Sequence, residues 1–374
     1  MLGSVRARAS ELASKIPYQH IKDSPTIKYY TQWSLFDRCI DSTPPRPMDP
    51  PLKGDFNLVL SNGHLASVKG VDVGEGEPTT ISPEESRIIA RHIAGLRTVP
   101  LVKVNGGLFR GLLGHFNNGN LLSPNHLIIN VDSYSVANIA LHIVSSGGCG
   151  SNIVELIVGE GSRVQLLISS IHDSASFTLI RILQGAGSQV EAWSIVSRGL
   201  MNHHREDYML RGAKAVLNSR ALVAGAGSDR VDYLVNLIHE GESSMSSSVV
   251  KAIALGNSMV IHRGFGRISE GAKWSSTSID GKVFIASDSA KAVSVPVIMV
   301  DTGDVNGARH SASDASLDEV QEVYLRMRGL SRDEARMLLA YDMVSSFMDS
   351  IDQAFNDDVQ LIKDHVYGLL GLKA

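Results

Sequence analysis

Cysteine is nearly absent from this chain: 374 residues contain two, Cys39 and Cys149. They are far apart and form no Cys-x-x-Cys or zinc-type spacing, which excludes a four-cysteine metal or cluster site built by one copy of the chain. A disulfide between them is disfavoured in a reducing cytosol, so both are expected to pack as small structural hydrophobes. A charge excess of one sign is missing too. The formal net charge is -4 and the pI near 6.4, which gives no electrostatic case for nucleic acid. No run approaches the roughly eighteen apolar residues of a membrane span. The N-terminus, MLGSVRARASELASKI, lacks the apolar stretch of a signal peptide, so the expected location is cytoplasmic. Also absent are GxxxxGK[ST], GxGxxG at a strand-to-helix join, HExxH, GxSxG and an EF-hand loop. The chain is therefore expected to bind no nucleotide through a P-loop of its own.

What is present is strand. From about Leu127 to Val300 the text runs HLIINV, NIVELIV, RVQLLI, FTLIRIL, DYLVNLI and similar short β-branched stretches, each bounded by turn formers. A small phrase, Gly-x-Gly-Ser, recurs as Gly148-Cys-Gly-Ser151, Gly159-Glu-Gly-Ser162, Gly185-Ala-Gly-Ser188 and Gly225-Ala-Gly-Ser228. Its starts lie 11, 26 and 40 residues apart, near one, two and three multiples of about 13, the length of a strand plus a corner. Such spacing suits a coiled β architecture in which each rung turns a corner and stacks on the last; a sandwich of short strands is the alternative. Every such phrase runs on into more strand, so its glycines serve corners rather than phosphates.

The flanks differ. Residues 1–40 read as helical, with Leu12, Ile16, Ile27, Trp33, Leu35 and Phe36 as apolar groups and Ser24-Pro25 as a helix start. PPRPMDPP, residues 44–51, holds too many prolines for a regular element and reads as a linker. FNLVL (56–60) followed by SNG suggests a strand and a turn. Ser82, Pro83 and Glu85 look like a helix start, with Ile88, Ile89, His92 and Ile93 on its face and Gly95 at its end. After Ser316 the period becomes helical: Ser316 with Glu319, and Ser331 with Glu334, make capping boxes. Leu317, Val320, Tyr324 and Met327 recur at helical spacing, Gly329 is a stop, and Ala335, Leu338 and Leu339 begin a second apolar face. Phe347, Met348, Ile351 and Phe355, then Val359, Ile362, Val366, Leu369 and Leu370, continue the pattern to the end. These helices either close the end of the β stack or present a face to another protein. The division expected is 1–125 helical and mixed, 126–300 β core, and 301–374 helical.

Candidate chemistry is sparse. His203-His204-Arg205-Glu206-Asp207 is a dense polar cluster, read as a solvated turn or a site; adjacent histidines on a strand face opposite ways and do not readily share one metal. His239 suits a hydrogen-bonded rung position. His310 is a lone histidine at the join between strands and helices. Glu155, Asp173, Glu191 and Asp207 are the carboxylates a β-helix carbohydrate lyase or hydrolase would need, but they show no fixed rung spacing.

The segment LDEVQEVYLRMRGLSRDEARMLL resembles the C-terminal signature of the SufB/SufD family of iron–sulfur cluster assembly proteins. There a histidine-bearing turn leads into a helix ending in Tyr-Leu-x-x-Arg-Gly and then a helix with Glu-Ala. Here those positions are His310, Tyr324, Leu325, Arg328, Gly329, Glu334 and Ala335. Upstream, residues 266–296 resemble the family's sequence of Gly-x-Ile, Gly-Ala, a strand, Ser-x-x-Ala and Pro, and His239 matches a histidine common in it. The likeness covers roughly residues 200–345. It implies a mainly β protein, a right-handed β-helix core flanked by helical segments, and a subunit without catalysis of its own. It further implies a SufB-like paralogue or a second copy as partner, a SufC-like ATPase docked through Tyr324, Arg328, Arg332, Arg336, Leu338 and Leu339, and His310 as a ligand of a transient iron–sulfur cluster shared with the partner. Imidazole suits iron. The departures are specific. Ala308 stands where members usually have a cysteine, Ser311 where SufB proteins have a glutamate, and no cysteine lies near Asp280, where the SufB scaffold cysteine is expected. Thiolate is the usual ligand of such clusters. These gaps make the chain SufD-like rather than SufB-like, and leave a structural homodimer without cluster chemistry as the alternative.

Overall fold

The computed structural model describes residues 2–23, 29–41, 52–116, 119–315 and 319–371. The Ser24-Pro25 helix start, the 44–51 linker and the cap at Ser316 lie outside these residues. The described chain opens with helix α1 (Leu2–Ala13), a short 3-10 helix (Trp33–Arg38), a hairpin of β1 (Leu58–Ser61) and β2 (His64–Val68), β3 (Val73–Glu75) and helix α2 (Arg87–Gly95). Sixteen strands follow. They are β4 (Pro100–Val104), β5 (Gly107–Phe116), β6 (Leu122–Val131), β7 (Val136–Ser146), β8 (Cys149–Val158), β9 (Arg163–His172), β10 (Ala175–Gln184) and β11 (Gln189–Ser197). They continue as β12 (Met201–Leu210), β13 (Val216–Gly225), β14 (Arg230–His239), β15 (Met245–Ala254), β16 (Met259–Ile268), β17 (Ser275–Ile285), β18 (Lys291–Val300) and β19 (Val305–Ala315). Helices α3 (Glu319–Met327), α4 (Arg332–Met348) and α5 (Asn356–Gly368) complete the chain.

From β4 onward the strands alternate between two sheets, and each pairs in parallel with the strand two further on in sequence. One sheet has ten strands in the order β19-β17-β15-β13-β11-β9-β7-β5-β1-β2; the other has nine, β18-β16-β14-β12-β10-β8-β6-β4-β3. This is a β-solenoid, two strands to a coil. Ala175 pairs with Met201 and Met259 with Lys291, so a coil is 26 residues long in the middle and 32 near the end. Three of the four Gly-x-Gly-Ser phrases are the corners, and the first sits at the start of β8. Along one corner Tyr134, Gly161, Gly187, Lys214, Ser243 and Trp274 all take φ between 55° and 65°. Each donates its N–H to a carbonyl one coil on, as Gly161 does to Ala186 at 2.8 Å.

The interior between the sheets is filled by stacked Leu, Ile and Val such as Leu141, Leu156, Leu166, Ile182 and Leu237. Both outer faces are covered as well, which is why the strands read as near-continuous apolar runs. On the nine-stranded sheet, α1, the 3-10 helix and α2 bury Phe36, Ile88, Ile89 and Ile93 against Ile153, Phe177 and Leu179. On the ten-stranded sheet, α4, α5 and the 3-10 turn between them (Gln353–Phe355) bury Phe347, Phe355, Ile362 and Val366 against Leu167, Trp193, Leu222, Ile253 and Phe284.

Several expectations are corrected here. Helix α2 is capped by Ser86, whose hydroxyl accepts the Ile89 N–H; Ser82 instead meets Glu85 one turn too early. Helices α4 and α5 lie along the flank of the solenoid and do not close its end. The stretch after residue 301 begins with a full strand, β19, so the helices start at Glu319. Cys39 and Cys149, 110 residues apart, are bonded, with their Cα atoms 6.0 Å apart. Coiling brings the start of β8 beneath the end of the 3-10 helix, a proximity that no local pattern reveals.

Candidate functional site at the open end

The two ends of the solenoid are built differently. At the first coil β2 covers the edge of β1 antiparallel, and β3 covers β4. At the last coil β18 and β19 each pair on one side alone, leaving a row of backbone N–H and C=O groups on both sheets. The rim is apolar: Val297, Met299 and Val300 of β18 are each 40–47% exposed. Pro296 sits in β18, where an edge strand tolerates its missing N–H.

His310 lies in β19, not in a turn, and is exposed. It stands in register over Ile279, a fully buried residue of the interior row, so it occupies the row that the next coil would bury. Beside it Ser311 pairs with Asp280, and the Ser311 hydroxyl donates to the Asp280 carboxylate. The fold thus brings together His310, Ser311 and Asp280, which lie at or near positions that the family resemblance marks. Among the described residues no group of three or more His, Cys, Asp or Glu side chains is placed to hold a metal ion.

Next to this end stands α3. Val320, Val323, Tyr324 and Met327 are all more than half exposed, and the Arg328 guanidinium lies 5.3 Å from the Tyr324 ring centroid. Gly329, at φ 89°, ends the helix as a residue without Cβ should. Ser331 and Glu334 form the expected capping box, and the bonds from Ser331 hold the Glu334 carboxyl below its usual range. The docking set then divides. Leu338 and Arg332 are exposed, Arg336 is tied to Asp288 at 2.8 Å, Leu339 packs partly inward, and Ala335 is buried. His239 is fully buried; its ring nitrogens meet the Ser244 and Ser246 hydroxyls at 2.7 Å each, and burial lowers its pKa to about 4. That is a rung histidine held by hydroxyls.

The cluster 203–207 is not a solvated turn. It is the middle of β12, and alternation splits it. His203, Arg205 and Asp207 face outward: His203 meets Asp232 at 3.0 Å and Asp207 meets Arg181 at 2.7 Å. His204, Glu206 and Tyr208 face the interior. There the Glu206 carboxylate receives His204 at 3.0 Å, Tyr208 at 2.9 Å and Tyr233 at 3.0 Å. Burial would raise its pKa, but these partners, His204 foremost, outweigh burial and lower it. Sequence reasoning missed this network, although the period-two alternation His-x-Glu-x-Tyr carries its signal. The four carboxylates of the enzyme reading are spread over the molecule, each with a partner: Glu155 with His126 and Thr79, Asp173 with the Gly147 N–H, Glu191 with Arg220, and Asp207 with Arg181.

Comparison with known proteins agrees with the fold. The family described as "SUF system FeS cluster assembly, SufBD core domain" matches residues 115–343, more than half of the chain. The iron–sulfur cluster assembly protein SufD of Bacillus subtilis is 24% identical over 294 residues, covering 72% of this chain and 64% of that protein. A SufBD family protein of Mycobacterium tuberculosis is 26% identical over 254 residues, 65% of this chain and 29% of the relative. One from Staphylococcus saprophyticus is 25% identical over 239 residues, 61% and 50% respectively. The aligned part therefore spans less than two thirds of each relative. With its stacked two-sheet solenoid and the matched core domain, the chain belongs to the SufBD family of iron–sulfur cluster assembly proteins and is SufD-like.

Proposed function

We propose that this protein is a non-catalytic SufD-like subunit of a cytoplasmic iron–sulfur cluster assembly complex. It pairs through its open end with a SufB-like protein and receives a SufC-like ATPase on α3 and the exposed side of α4. One observation carries this reading: both sheets stop unpaired at the same end, with an apolar rim and His310 in the interior row, while the other end is closed by antiparallel strands. Paired with another such edge, that row would become interior. The cluster is cargo, and His310 would supply one ligand or accept a proton at the shared edge. Tyr324, Val323 and Met327 supply aromatic and apolar anchors of the kind that dominate interfaces.

The test is co-purification with the SufB-like and SufC-like proteins of the same source, followed by mass determination and anaerobic iron and sulfide analysis. The expected result is a complex that accumulates cluster and loses it in His310→Ala, with SufC binding lost in Met327→Glu. A chain that ignores both partners would overturn the reading. A second reading, a structural homodimer without cluster chemistry, is favoured by the disulfide, which leaves no free thiol to offer a cluster. Its mark would be a stable dimer of this chain alone. Thiol trapping in whole cells tests the location, since a persistent disulfide is unusual in a reducing cytosol.

A further inference from the structure

The Cys39–Cys149 bond fastens more than the first coils. Cys39 lies near the end of a strap, residues 29–41, that runs across the outer face of the nine-stranded sheet. The far end of the strap reaches β14, where the Thr31 hydroxyl donates to Asp232 and meets His203 of β12 at 3.0 Å. The Gln32 N–H meets the Met201 sulfur at 3.4 Å, Phe36 is fully buried, and Ile40 pairs with Leu121. Asp232, His203, Phe177 and Ser151 stand in register, so the strap crosses β14, β12, β10 and β8. Arg91, itself buried, holds the Phe36 and Cys39 carbonyls at 2.7 and 2.6 Å. The Cys39 sulfur makes the strap's one covalent tie to the sheet; hydrogen bonds and packing supply the rest.

That tie can be reached from solvent. An open cavity of about 470 Å³ lies between α1, α2 and the end of the strap, and Cys39 forms part of its wall with Arg87, Arg91, Asp37 and Asp41. Cys149 does not line the cavity; it sits in the apolar cluster that holds Leu122, Ile153 and Phe177. Access helps to decide which sulfur of a disulfide a thiolate attacks, and here it selects Cys39. Disulfides that form in a reducing compartment are usually transient or redox-sensing.

We propose that the Cys39–Cys149 bond is a thiol-exchange site for a dithiol reductant, and that its reduction frees residues 29–41 to open as a unit. A thiolate of the dithiol attacks Cys39 Sγ, forming a mixed disulfide as the Cys39–Cys149 bond breaks. Cys149 leaves as a thiolate and takes a proton from water. The reductant's second thiol, giving up its proton, attacks the reductant's own sulfur in the mixed disulfide, and Cys39 leaves in the same way. Two electrons pass to the protein, and the reductant ends as a disulfide. Opening of the strap withdraws Phe36 from the cluster it shares with Phe177 and Met201. The exchange requires no partner chain and no cluster.

The experiment uses the full-length oxidised protein without denaturant. Reduction by dithiothreitol, read by alkylation of the released thiols, is expected at a rate that dilute urea changes by less than about twofold, because the bond is reached without unfolding. Glutathione, quenched in acid, is expected as an adduct on the Cys39 peptide. Trypsin then compares Arg38 in the strap with Arg163 in the solenoid, both exposed. Reduction is expected to speed cleavage after Arg38 at least about tenfold more than cleavage after Arg163. A reduction rate that climbs with urea makes the bond a buried structural one and overturns the exchange site, as does a glutathione adduct on Cys149. Equal acceleration at Arg38 and Arg163, or none at either, overturns the opening of the strap as a unit.

Discussion

The first coils and the last coils of this solenoid share one strand pattern but differ in what surrounds them. The first coils are closed by antiparallel strands, clamped by the Cys39–Cys149 bond and overlaid by the N-terminal segment. That segment is fastened with buried charges. Arg91 reaches Tyr18, Phe36, Cys39 and Asp41, and Arg181 binds Glu85 and Asp207. The last coils keep the C-terminal helices on one face but have no strand across their edge and no covalent clamp. Their interior row surfaces at His310 and their rim residues stay exposed. The difference teaches that stability and interaction are separated along one axis: the closed end holds the fold, and the open end is free to meet something else.

The largest effect is expected from the covalent clamp. In the chain-entropy view, closing a loop of about 100 residues restricts the unfolded chain by about 4–5 kcal/mol. Cys149→Ser, or reduction of the native protein, should lower stability by that order, read as a fall in the thermal midpoint. A midpoint indifferent to reductant would show that the first coils owe their fixity to packing alone.

Core truncation compares the ends directly. Leu113 is fully buried at the closed end, and Leu113→Ala should cost about 2–5 kcal/mol through lost burial and a residual cavity. Val297→Ala at the open rim should cost under about 0.5 kcal/mol. Equal costs from denaturant titration would mean that the open end is already packed against something in solution.

Acid should act on a buried carboxylate of the closed end. Glu155 is fully buried; its carboxylate accepts the Thr79 N–H at 3.1 Å, the Thr79 hydroxyl at 2.9 Å and His126 at 2.8 Å. Burial would raise its pKa, but His126 and Thr80 outweigh that and hold it at about 2. A folded-state pKa below the unfolded one stabilises the protein above the unfolded value. The gain, up to about 3 kcal/mol, is lost as pH falls from about 4.5 toward 2. Glu155→Gln should flatten that part of the stability-against-pH curve. An unchanged curve would assign acid unfolding to other groups.

How much of this was written locally in the sequence follows from the range of each interaction. Some corners announced themselves because glycine takes the left-handed position, as at Gly161 and Gly187, whereas Tyr134, Lys214, Ser243 and Trp274 hold the same conformation without that signal. The Ser331–Glu334 box was equally plain, being complete within one helical turn. The 203–207 cluster was misread because a buried strand that is polar on both faces looks like a turn; its polar groups are satisfied by Asp232, Arg181 and Tyr233, which are distant in sequence. The disulfide was misread for the same reason. As for the open end, His310 was found through family likeness, and its place in the last strand follows from register, which composition does not carry.

The smallest effect on stability should be the most telling for interaction. Met299 lies in β18, about half exposed, and its strand has no neighbour on the outer side. Met299→Lys places a charge on that edge, the means by which natural sheets prevent edge-to-edge pairing. Stability should change by less than about 0.5 kcal/mol, because nothing buried is altered. Association with a SufB-like partner, or with a second copy, should nevertheless fall sharply in size-exclusion measurements. If Met299→Lys associates as the parent does while Tyr324→Ala does not, the partner is held by α3, and the open edge is only its neighbour.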